Sequence, residues 1–343
     1  MSSTLLISDL HIGSRGRGSV LEQPAPLAQL IEAIRGHDRL VLLGDAIELA
    51  EARPSRALDV AEPILRAIGT TLGPDGEVVL VPGNHDHWLV RGWALAQGGA
   101  LAIDSSVPAD SNPMLARIAG WLAPARVEVR YPGVWLNDTI WATHGHYLDR
   151  HLLPVSAYGV IRGRRLPPAG TVPPSDYERF LRPQLSRALR LLPSPLAAGL
   201  EDLGELLRVS TMPGVKHRML HPRLAPLTSH LLGIQMRRHS LPAIARVARD
   251  LGVNADVVIF GHVHRLGPLA GDALDEWRGP KGLPRLINTG SWRYDPLLLH
   301  HAEPPHPYWP GGAVVVQDGA EPQAIGLLDG LTVDQLHSAR VVF

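Results

Sequence analysis

The sequence predicts an α/β protein built on parallel strands. Short apolar runs of strand length, rich in Val, Ile and Leu, alternate with stretches whose apolar residues recur at helical spacing. This order of strand, helix and strand is typical of βαβ units, in which the strands lie parallel. In addition, five apolar runs are each directly followed by residues able to bind a metal ion, so the candidate metal ligands lie at the ends of predicted strands.

The alternation is clearest in the first half of the chain and returns near the end. Strands are expected over 5–8, 39–43, 78–81, 127–129, 134–136, 139–143 and 257–260. Helices are expected over 24–35, 56–68, from 87 to about 97, and 241–251, with an irregular segment after 97. Three further runs, 285–288, 312–317 and 324–328, are candidate strands of a second sheet.

Composition excludes several classes of site. The chain has 33 Lys or Arg and 33 Asp or Glu, so no overall basic field indicates an obligate nucleic-acid partner. It has no cysteine, which excludes disulfides, thiolate zinc sites and thiol nucleophiles. The first residues lack the pattern of a secretory signal, and no apolar stretch approaches the roughly 20 residues of a membrane-spanning helix. We therefore expect a cytoplasmic protein.

Polar side chains follow three apolar runs in the first half of the chain. Asp9 and His11 follow the first run, and their i, i+2 spacing points both to one side of an extended chain. Asp45 follows the second run behind a glycine, and Asn84 follows the third. Each alone also fits an ordinary Asx or glycine turn. Glu48 is expected to support a ligand or to start a helix rather than to bind metal.

Two apolar runs in the second half end in histidines. His144 follows the run 139–143, where a satisfied or an exposed histidine is the ordinary interpretation. His262 and His264 follow the run 257–260 behind a glycine, and this i, i+2 pair is typical of a metal site.

These side chains are predicted to lie together. The carboxyl ends of parallel strands meet at one edge of a sheet, so we expect the five strand ends to converge there. Seven donors are too many for one tetrahedral ion, and they suit two ions about 3.5 to 4 Å apart that share a carboxylate. The seven candidate metal ligands are Asp9, His11, Asp45, Asn84, His144, His262 and His264.

The order of these motifs resembles the calcineurin-like metallophosphoesterases. The motifs are Asp-x-His, Gly-Asp-x-x-Glu, Gly-Asn-His-Asp, a later His and Gly-His-x-His, and they span residues 9 to 264. The resemblance implies a four-layer fold, a two-sheet β-sandwich flanked by helices, which is α/β or, by some schemes, α+β. The loop 288–291, Asn-Thr-Gly-Ser, also resembles the stretch that follows Gly-His-x-His in relatives.

The resemblance also implies roles for single residues. The implied ligands are Asp9, His11, Asp45 and His264 on one ion, and Asp45, Asn84, His144 and His262 on the other, so that Asp45 bridges. His85 would be catalytic, touching the phosphate and its leaving group, and Asp86 would orient His85. Mixed Asn, Asp and His ligation admits several divalent metals, with Mn, Fe or Zn expected first.

Residues 147–250 interrupt the alternation. They show no clear strands but contain several apolar stripes at helical spacing. They also carry an excess of positive charge, with 15 Arg or Lys against 6 Asp or Glu between 151 and 250. We expect a basic, mainly helical insertion in a catalytic domain formed by 1–146 and 251–343. The insertion is either a solvated face over an ordinary helical core or a cap for an anionic or amphiphilic substrate, and peripheral membrane contact is left open.

Within the family, the helical insertion and the Gly-Asp-x-x-Glu motif resemble the UDP-2,3-diacylglucosamine hydrolase branch. The insertion here is long and rich in Arg and Pro, and His85 stands where that branch often has Arg, so its substrate is not carried over. The expected reaction is hydrolysis of a phosphodiester or phosphoanhydride by a metal-activated hydroxide. The expected partner is a phosphate-containing substrate, with nucleotide-linked and lipid-linked compounds both left open.

Three other functions are also consistent with the pattern. A phosphomonoesterase or protein phosphatase would share the metal centre. A DNA nuclease of the same family would need a basic groove, whereas the positive charge here lies mainly in the insertion. A non-catalytic interaction module on the same fold would be expected to have lost ligands, and all seven are present in the sequence.

Overall fold

Two β-sheets stacked face to face form the centre of the protein. The computed structural model describes residues 3–14, 18–152, 172–179, 230, 233–234, 236–299 and 302–337. The strands are β1 (Ser3–Ile7), β2 (Arg39–Leu42), β3 (Glu77–Leu80), β4 (Ser105–Ser106), β5 (Arg126–Tyr131), β6 (Gly133–Trp135), β7 (Ile140–Thr143), β8 (Val257–Phe260), β9 (Arg285–Asn288), β10 (Gly312–Gln317) and β11 (Gln323–Gly326).

The larger sheet has seven strands in the order β11, β10, β1, β2, β3, β5, β4. Its strands β1, β2, β3 and β5 are parallel, and β10, β11 and β4 pair antiparallel at the two edges. The smaller sheet has the order β6, β7, β8, β9, with β7, β8 and β9 parallel. The predicted parallel strands and two-sheet α/β fold are therefore confirmed.

Helices cover the outer faces of both sheets. They are α1 (Pro24–Ile34), α2 (Pro54–Leu72), α3 (Arg91–Gln97), α4 (Pro113–Trp121), α5 (Asp149–Leu152), α6 (Pro174–Glu178), α7 (Leu241–Asp250), α8 (Pro296–Leu299) and α9 (Val333–His337). Side chains from α1, α2 and α4 join one apolar cluster with the larger sheet, and α7 joins another with the smaller sheet. The result is four layers, helices, sheet, sheet and helices.

The central strands are apolar on both faces because both faces are buried. Along β2, Leu40 packs towards the helices, whereas Val41 packs between the two sheets. Along β8, Val258 packs towards α7 and Ile259 packs between the sheets. Burying each such side chain contributes about 1.5 to 3 kcal/mol, so the two sheets are held firmly against each other. Their stacking sets where the strand ends lie.

Two expectations about local structure were wrong. The runs 312–317 and 324–328 were expected in the second sheet, but β10 and β11 extend the larger sheet, with Leu5 opposite Val315. Alternation of apolar residues sets which face of a strand is buried and does not select its partner. The segment after 97 was expected to be irregular, yet it contains α4. The helix-start signal was present, because the Asn112 side chain accepts hydrogen bonds from two amides and Pro113 occupies the first helical position.

The predicted insertion 147–250 is described only in part, by α5, α6, α7 and a few residues beside them. Helix α7 packs on the smaller sheet, where Ile244 and Val247 share a cluster with Phe260. The rest of the insertion lies outside the described residues, and the predicted domain division stays a prediction. In the described part of the chain, no helix is both long enough and apolar enough to cross a membrane. The cytoplasmic location stays a prediction.

Candidate metal centre

The predicted ligands lie at strand ends of two different sheets. Asp9, Asp45 and Asn84 follow β1, β2 and β3 of the larger sheet, whereas His144 and His262 follow β7 and β8 of the smaller one. The expectation that a single sheet carries all five strand ends was wrong. The carboxyl ends of the two stacked sheets meet, so the side chains still converge, now from opposite layers.

One group of donors comprises Asp9, His11 and His264. The Nε2 atom of His264 lies 3.1 Å from Oδ1 of Asp9 and 3.3 Å from Nε2 of His11. Nε2 of His11 is 3.9 Å from the same Asp9 oxygen. These three donor atoms therefore surround one small space, as the ligands of one ion would.

A second group comprises Asp45, His144 and His262, with Asn84 beside them. Nε2 of His144 lies 3.2 Å from Oδ2 of Asp45 and 3.1 Å from Oδ1 of Asn84. The same Asp45 oxygen is 4.0 Å from Nε2 of His11 in the first group. Asp45 thus adjoins both groups, and all seven predicted ligands are brought together.

The donor set fits divalent metal ions. Oδ1 of Asp9 is fully buried and accepts no hydrogen bond among the described residues, although imidazole nitrogens lie close to it. A buried carboxylate oxygen that accepts no hydrogen bond carries a large energetic cost unless a cation or a donor lies against it. Imidazole, carboxylate and amide donors in one cluster are typical ligands of Mn, Fe and Zn.

The backbone at the ligands is held in an uncommon conformation. In the described part of the chain, six non-glycine residues have positive φ, and five of them are predicted ligands. The five are Asp9, His11, Asp45, His262 and His264, with φ between 44° and 69°. Left-handed backbone at such residues costs of order 1 to 3 kcal/mol each and is found mainly at functional sites. The turns after the strands are thus shaped to aim side chains at one point.

Glycines in the motifs allow the loops to approach each other. A Cβ atom on Gly83 would overlap the carboxylate of Asp45 and the ring of His144. A Cβ atom on Gly261 would overlap Ser8 and the carboxylate of Asp9. These positions need glycine because the ligands of neighbouring strands occupy the space that a side chain would fill.

Hydrogen bonds on the far side of the rings orient two of the histidines. Nδ1 of His144 lies 3.0 Å from the carbonyl oxygen of Leu43, and Nδ1 of His11 lies 3.0 Å from Oε2 of Glu48. An imidazole that donates from Nδ1 presents its Nε2 lone pair on the other side. In both His11 and His144, Nε2 faces the donor groups.

Glu48, rather than Asp86, holds the ring of His85. Oε2 of Glu48 lies 2.7 Å from Nδ1 of His85, and the same oxygen also engages His11. Burial opposes a charged imidazole, but the carboxylates of Glu48 and Asp45 outweigh it and raise the pKa of His85 well above its ordinary value. The expectation that Glu48 supports a ligand agrees with these bonds.

Asp86 instead organises the backbone of the turn. Its carboxylate accepts hydrogen bonds from the amides of Gly83, at 2.6 Å, and Ala46, at 2.8 Å. Burial, together with the nearby charge of Asp45, raises the pKa of Asp86 to about 6, although the amide bonds oppose that rise. The predicted orienting contact to His85 is replaced by a contact that ties the third strand end to the second.

The 288–291 loop supports the first strand end. Ser291 Oγ donates to the carbonyl oxygen of Asp9 at 3.2 Å, and the amide of Trp292 donates to the same oxygen at 3.0 Å. The side chain of Asn288 donates to the carbonyl oxygen of Gly261 at 2.7 Å. This loop therefore links the strand ends of both sheets.

A buried polar network beside the site was missed by sequence reasoning. Glu178, in α6, accepts hydrogen bonds from the Tyr131 hydroxyl at 2.6 Å, from the Tyr147 hydroxyl, and from His87 Nε2 at 2.8 Å. Asp149, at the start of α5, was also missed, and its Oδ1 lies 2.9 Å from Nε2 of His262. Both acidic residues lie in the predicted insertion, and neither directly follows a predicted strand.

Two groups of candidate metal ligands adjoin at Asp45, and the fold around them is a two-sheet sandwich between helices. The model of the calcineurin-like phosphoesterase family matches residues 2–266. The chain belongs to the calcineurin-like phosphoesterase family, and it is a metal-dependent phosphoester hydrolase.

No curated protein sequence matches the chain. Among solved structures, the chain is similar to a dimetal phosphatase from Danio rerio, with 14% sequence identity, coverage of 95% of this chain and 99% of that chain, and a TM-score of 0.34. The resemblance to the UDP-2,3-diacylglucosamine hydrolase branch stays a prediction.

Proposed function

We propose that the protein hydrolyses a phosphodiester or a phosphoanhydride with the help of two divalent ions, Mn, Fe or Zn. The observation that carries the proposal is the position of Asp45 between the two donor groups, with the His85 ring next to them. The proposed ligands are the seven residues predicted from the sequence. When bound, two divalent ions would make a water molecule more acidic and neutralise charge on the phosphate oxygens.

Asp45 would be in place to hold both ions when they are bound. Its Oδ1 accepts a hydrogen bond from the backbone amide of His85 at 2.7 Å. Its Oδ2 is the atom that lies near His144 and His11, one from each group. The amide bond therefore fixes the carboxylate so that a single oxygen faces both sets of ligands.

His85 is suited to hold a proton next to the reacting phosphate. Its Nδ1 is engaged by Glu48, which leaves Nε2 as the nitrogen available to a substrate oxygen. Its ring centroid is 4.7 Å from that of His11, so it lies beside the donor groups. We assign to His85 the transfer of a proton to the departing oxygen.

The preference for a diester or an anhydride rests on an exposed apolar side chain close to His85 in the sequence, because such substrates carry a second group that needs a binding surface. Trp88, three residues after His85, has 56% of its surface exposed. An exposed indole at this place can stack on a nucleobase or cover an acyl chain in the second half of a substrate.

A substrate panel with metal-loaded protein tests the proposal. The panel compares bis(4-nitrophenyl) phosphate with 4-nitrophenyl phosphate, and adds nucleoside-diphosphate lipids, dinucleoside polyphosphates, cyclic nucleotides and phosphopeptides, each with Mn, Fe or Zn. We expect kcat/KM for a diester or anhydride to exceed that for the monoester by at least ~10-fold, about 1.4 kcal/mol of transition-state stabilisation. A preference for the monoester or for phosphopeptides would identify a phosphomonoesterase or protein phosphatase instead.

A further inference from the structure

The first residue of α5 reaches into the metal centre. Oδ1 of Asp149 lies 2.9 Å from Nε2 of His262, whose side chain is only 7% exposed, whereas that of Asp149 is 46% exposed. We propose that Asp149 is a positioning residue, which turns the ring of His262 so that Nδ1 faces Asp45 and His144. This inference rests on the proposed two-metal function.

His262 is oriented in the opposite sense from two of the other histidines. His11 and His144 are each held through Nδ1, by Glu48 and by a backbone carbonyl, and each presents Nε2 to the donor groups. His262 is held through Nε2, so Nδ1 is its only remaining nitrogen for a metal. A ring that binds through Nδ1 needs a partner at Nε2 to fix its tautomer and its rotation, and Asp149 is in place to provide one.

The position of Asp149 is set by packing around α5. The ring of Tyr147, just before the helix, stacks on Tyr177 of α6 at 4.7 Å and 8°. Nε2 of His151 lies 3.0 Å from the Tyr177 hydroxyl, and the guanidinium of Arg150 lies 4.9 Å over the same ring. Residues on both sides of Asp149 are therefore held, so its carboxylate meets His262 from a fixed helix end.

The alternative is an ordinary surface ion pair. An exposed ion pair contributes little to stability, and on this interpretation removal of Asp149 would leave metal binding unchanged. Here the partner is a buried ring whose own backbone is in the left-handed region, with φ 69°. The two interpretations differ in metal affinity, because only a positioning residue affects how His262 binds an ion.

Metal binding by the full chain tests the proposal with Mn²⁺ alone as the probe. The variants are Asp149→Ala, which removes the acceptor, and Asp149→Asn, whose amide oxygen still accepts from Nε2. The control is Asp138→Ala, an exposed carboxylate at the turn between β6 and β7. We expect two ions per chain in the wild type and in the control. In Asp149→Ala one of the two ions should bind about 10- to 100-fold more weakly, and Asp149→Asn should restore its affinity.

Two results would overturn the inference. One is wild-type affinity for both ions in Asp149→Ala, and the other is equal weakening in Asp149→Asn. A wild type that binds no Mn²⁺ would instead contradict the proposed function, so the two failures can be told apart.

A second measurement needs no folded Asp149 variant. In zinc-loaded wild-type protein labelled with ¹⁵N-histidine, the signal lost in His262→Asn identifies His262. We expect that ring to carry its proton on Nε2, the nitrogen that faces Asp149. A proton on Nδ1 would contradict the proposal.

Discussion

The two halves of the metal centre are held in different ways. On the larger sheet, the carboxylates that support the ligands belong to Glu48 and Asp86, which are 1% and 3% exposed. On the smaller sheet, His264 is 25% exposed, and the carboxylate that meets His262 is that of the half-exposed Asp149. The supporting carboxylates of the larger-sheet half are thus buried in the core of the protein, whereas Asp149 and His264 of the other half are partly exposed to solvent.

Backbone hydrogen bonds further fix the larger-sheet half of the metal centre. The amide of Asp9 donates to the carbonyl of Gly44 at 3.0 Å, and that of His11 donates to the carbonyl of Asp45 at 2.8 Å. The first two strand ends are therefore joined by their backbones. Donors fixed in this way need no rearrangement when a substrate arrives. We infer that changes in the larger-sheet half affect metal binding and chemistry, and that changes near α5 and α6 affect one ion or stability.

The largest effect is expected for Asp45→Asn. The amide side chain can still accept the His85 amide bond, but it lacks the negative charge that both donor groups adjoin. Metal content should fall from two ions per chain towards none, and turnover should be lost with it. Elemental analysis after dialysis against excess Mn²⁺ checks this. Retention of two ions by the variant would show that Asp45 is not shared.

The next largest effect is expected for His85→Ala. The ring is not in the ligand set, so both ions should stay bound, whereas kcat should fall by ~10² to 10⁴ because a proton donor is lost. Steady-state kinetics on the preferred substrate, with metal content measured in the same sample, separates the two properties. Wild-type turnover in a sample with two ions per chain would contradict the role assigned to His85.

A smaller effect on catalysis is expected for Glu48→Gln. One oxygen of Glu48 engages both His11 and His85, and an amide cannot hold both rings in the same way. We expect a loss of about 10- to 100-fold, mainly in kcat. The matched control is Glu32→Gln, an exposed glutamate on α1 that should behave as wild type. Equal kinetics for the two variants would remove Glu48 from the mechanism.

The smallest effect on activity, with a clear effect on stability, is expected for Glu178→Gln. This carboxylate accepts hydrogen bonds from Tyr131, Tyr147 and His87, and an amide cannot replace all three. The free energy of unfolding should fall by about 1 to 3 kcal/mol, measured by urea denaturation at pH 7. An unchanged midpoint would show that the network does not hold α6 to the sheet.

The same variant predicts a pH dependence. Burial opposes ionisation of Glu178, but the hydrogen bonds from His87 and the two tyrosines lower its pKa below the ordinary value of 4.5. A group whose pKa is lowered by folding stabilises the protein above that ordinary value, and the stabilisation is lost as the pH falls through the folded pKa. The difference in unfolding free energy between wild type and Glu178→Gln should therefore shrink below about pH 4.5. A difference that stays constant down to pH 3 would contradict this.

The strand ends were predictable because their signals are local. A short run of Val, Ile and Leu followed by Gly-Asp or Gly-His predicts a strand that ends in a turn. Asp45 and His262 could therefore be located from neighbouring residues alone. The order of the motifs was enough to indicate the family, and the family match to 2–266 confirms it. The signal for helix α4 is equally local, since Asn112 and Pro113 stand at its start.

Tertiary structure decided which sheet each strand joins and which carboxylate supports which ring. The residues around β10 do not predict that it pairs with β1, some 300 residues away in the sequence. That pairing depends on which edge of the larger sheet is left free when the layers pack. Glu48 meets His85 across 37 residues and Asp149 meets His262 across 113, and such contacts form only once strands distant in the sequence lie side by side in a sheet. The sequence by itself thus determined the donors and their order, because turn chemistry is local. Packing determined their partners, because hydrogen bonds between distant strand ends depend on which strands the fold places next to each other.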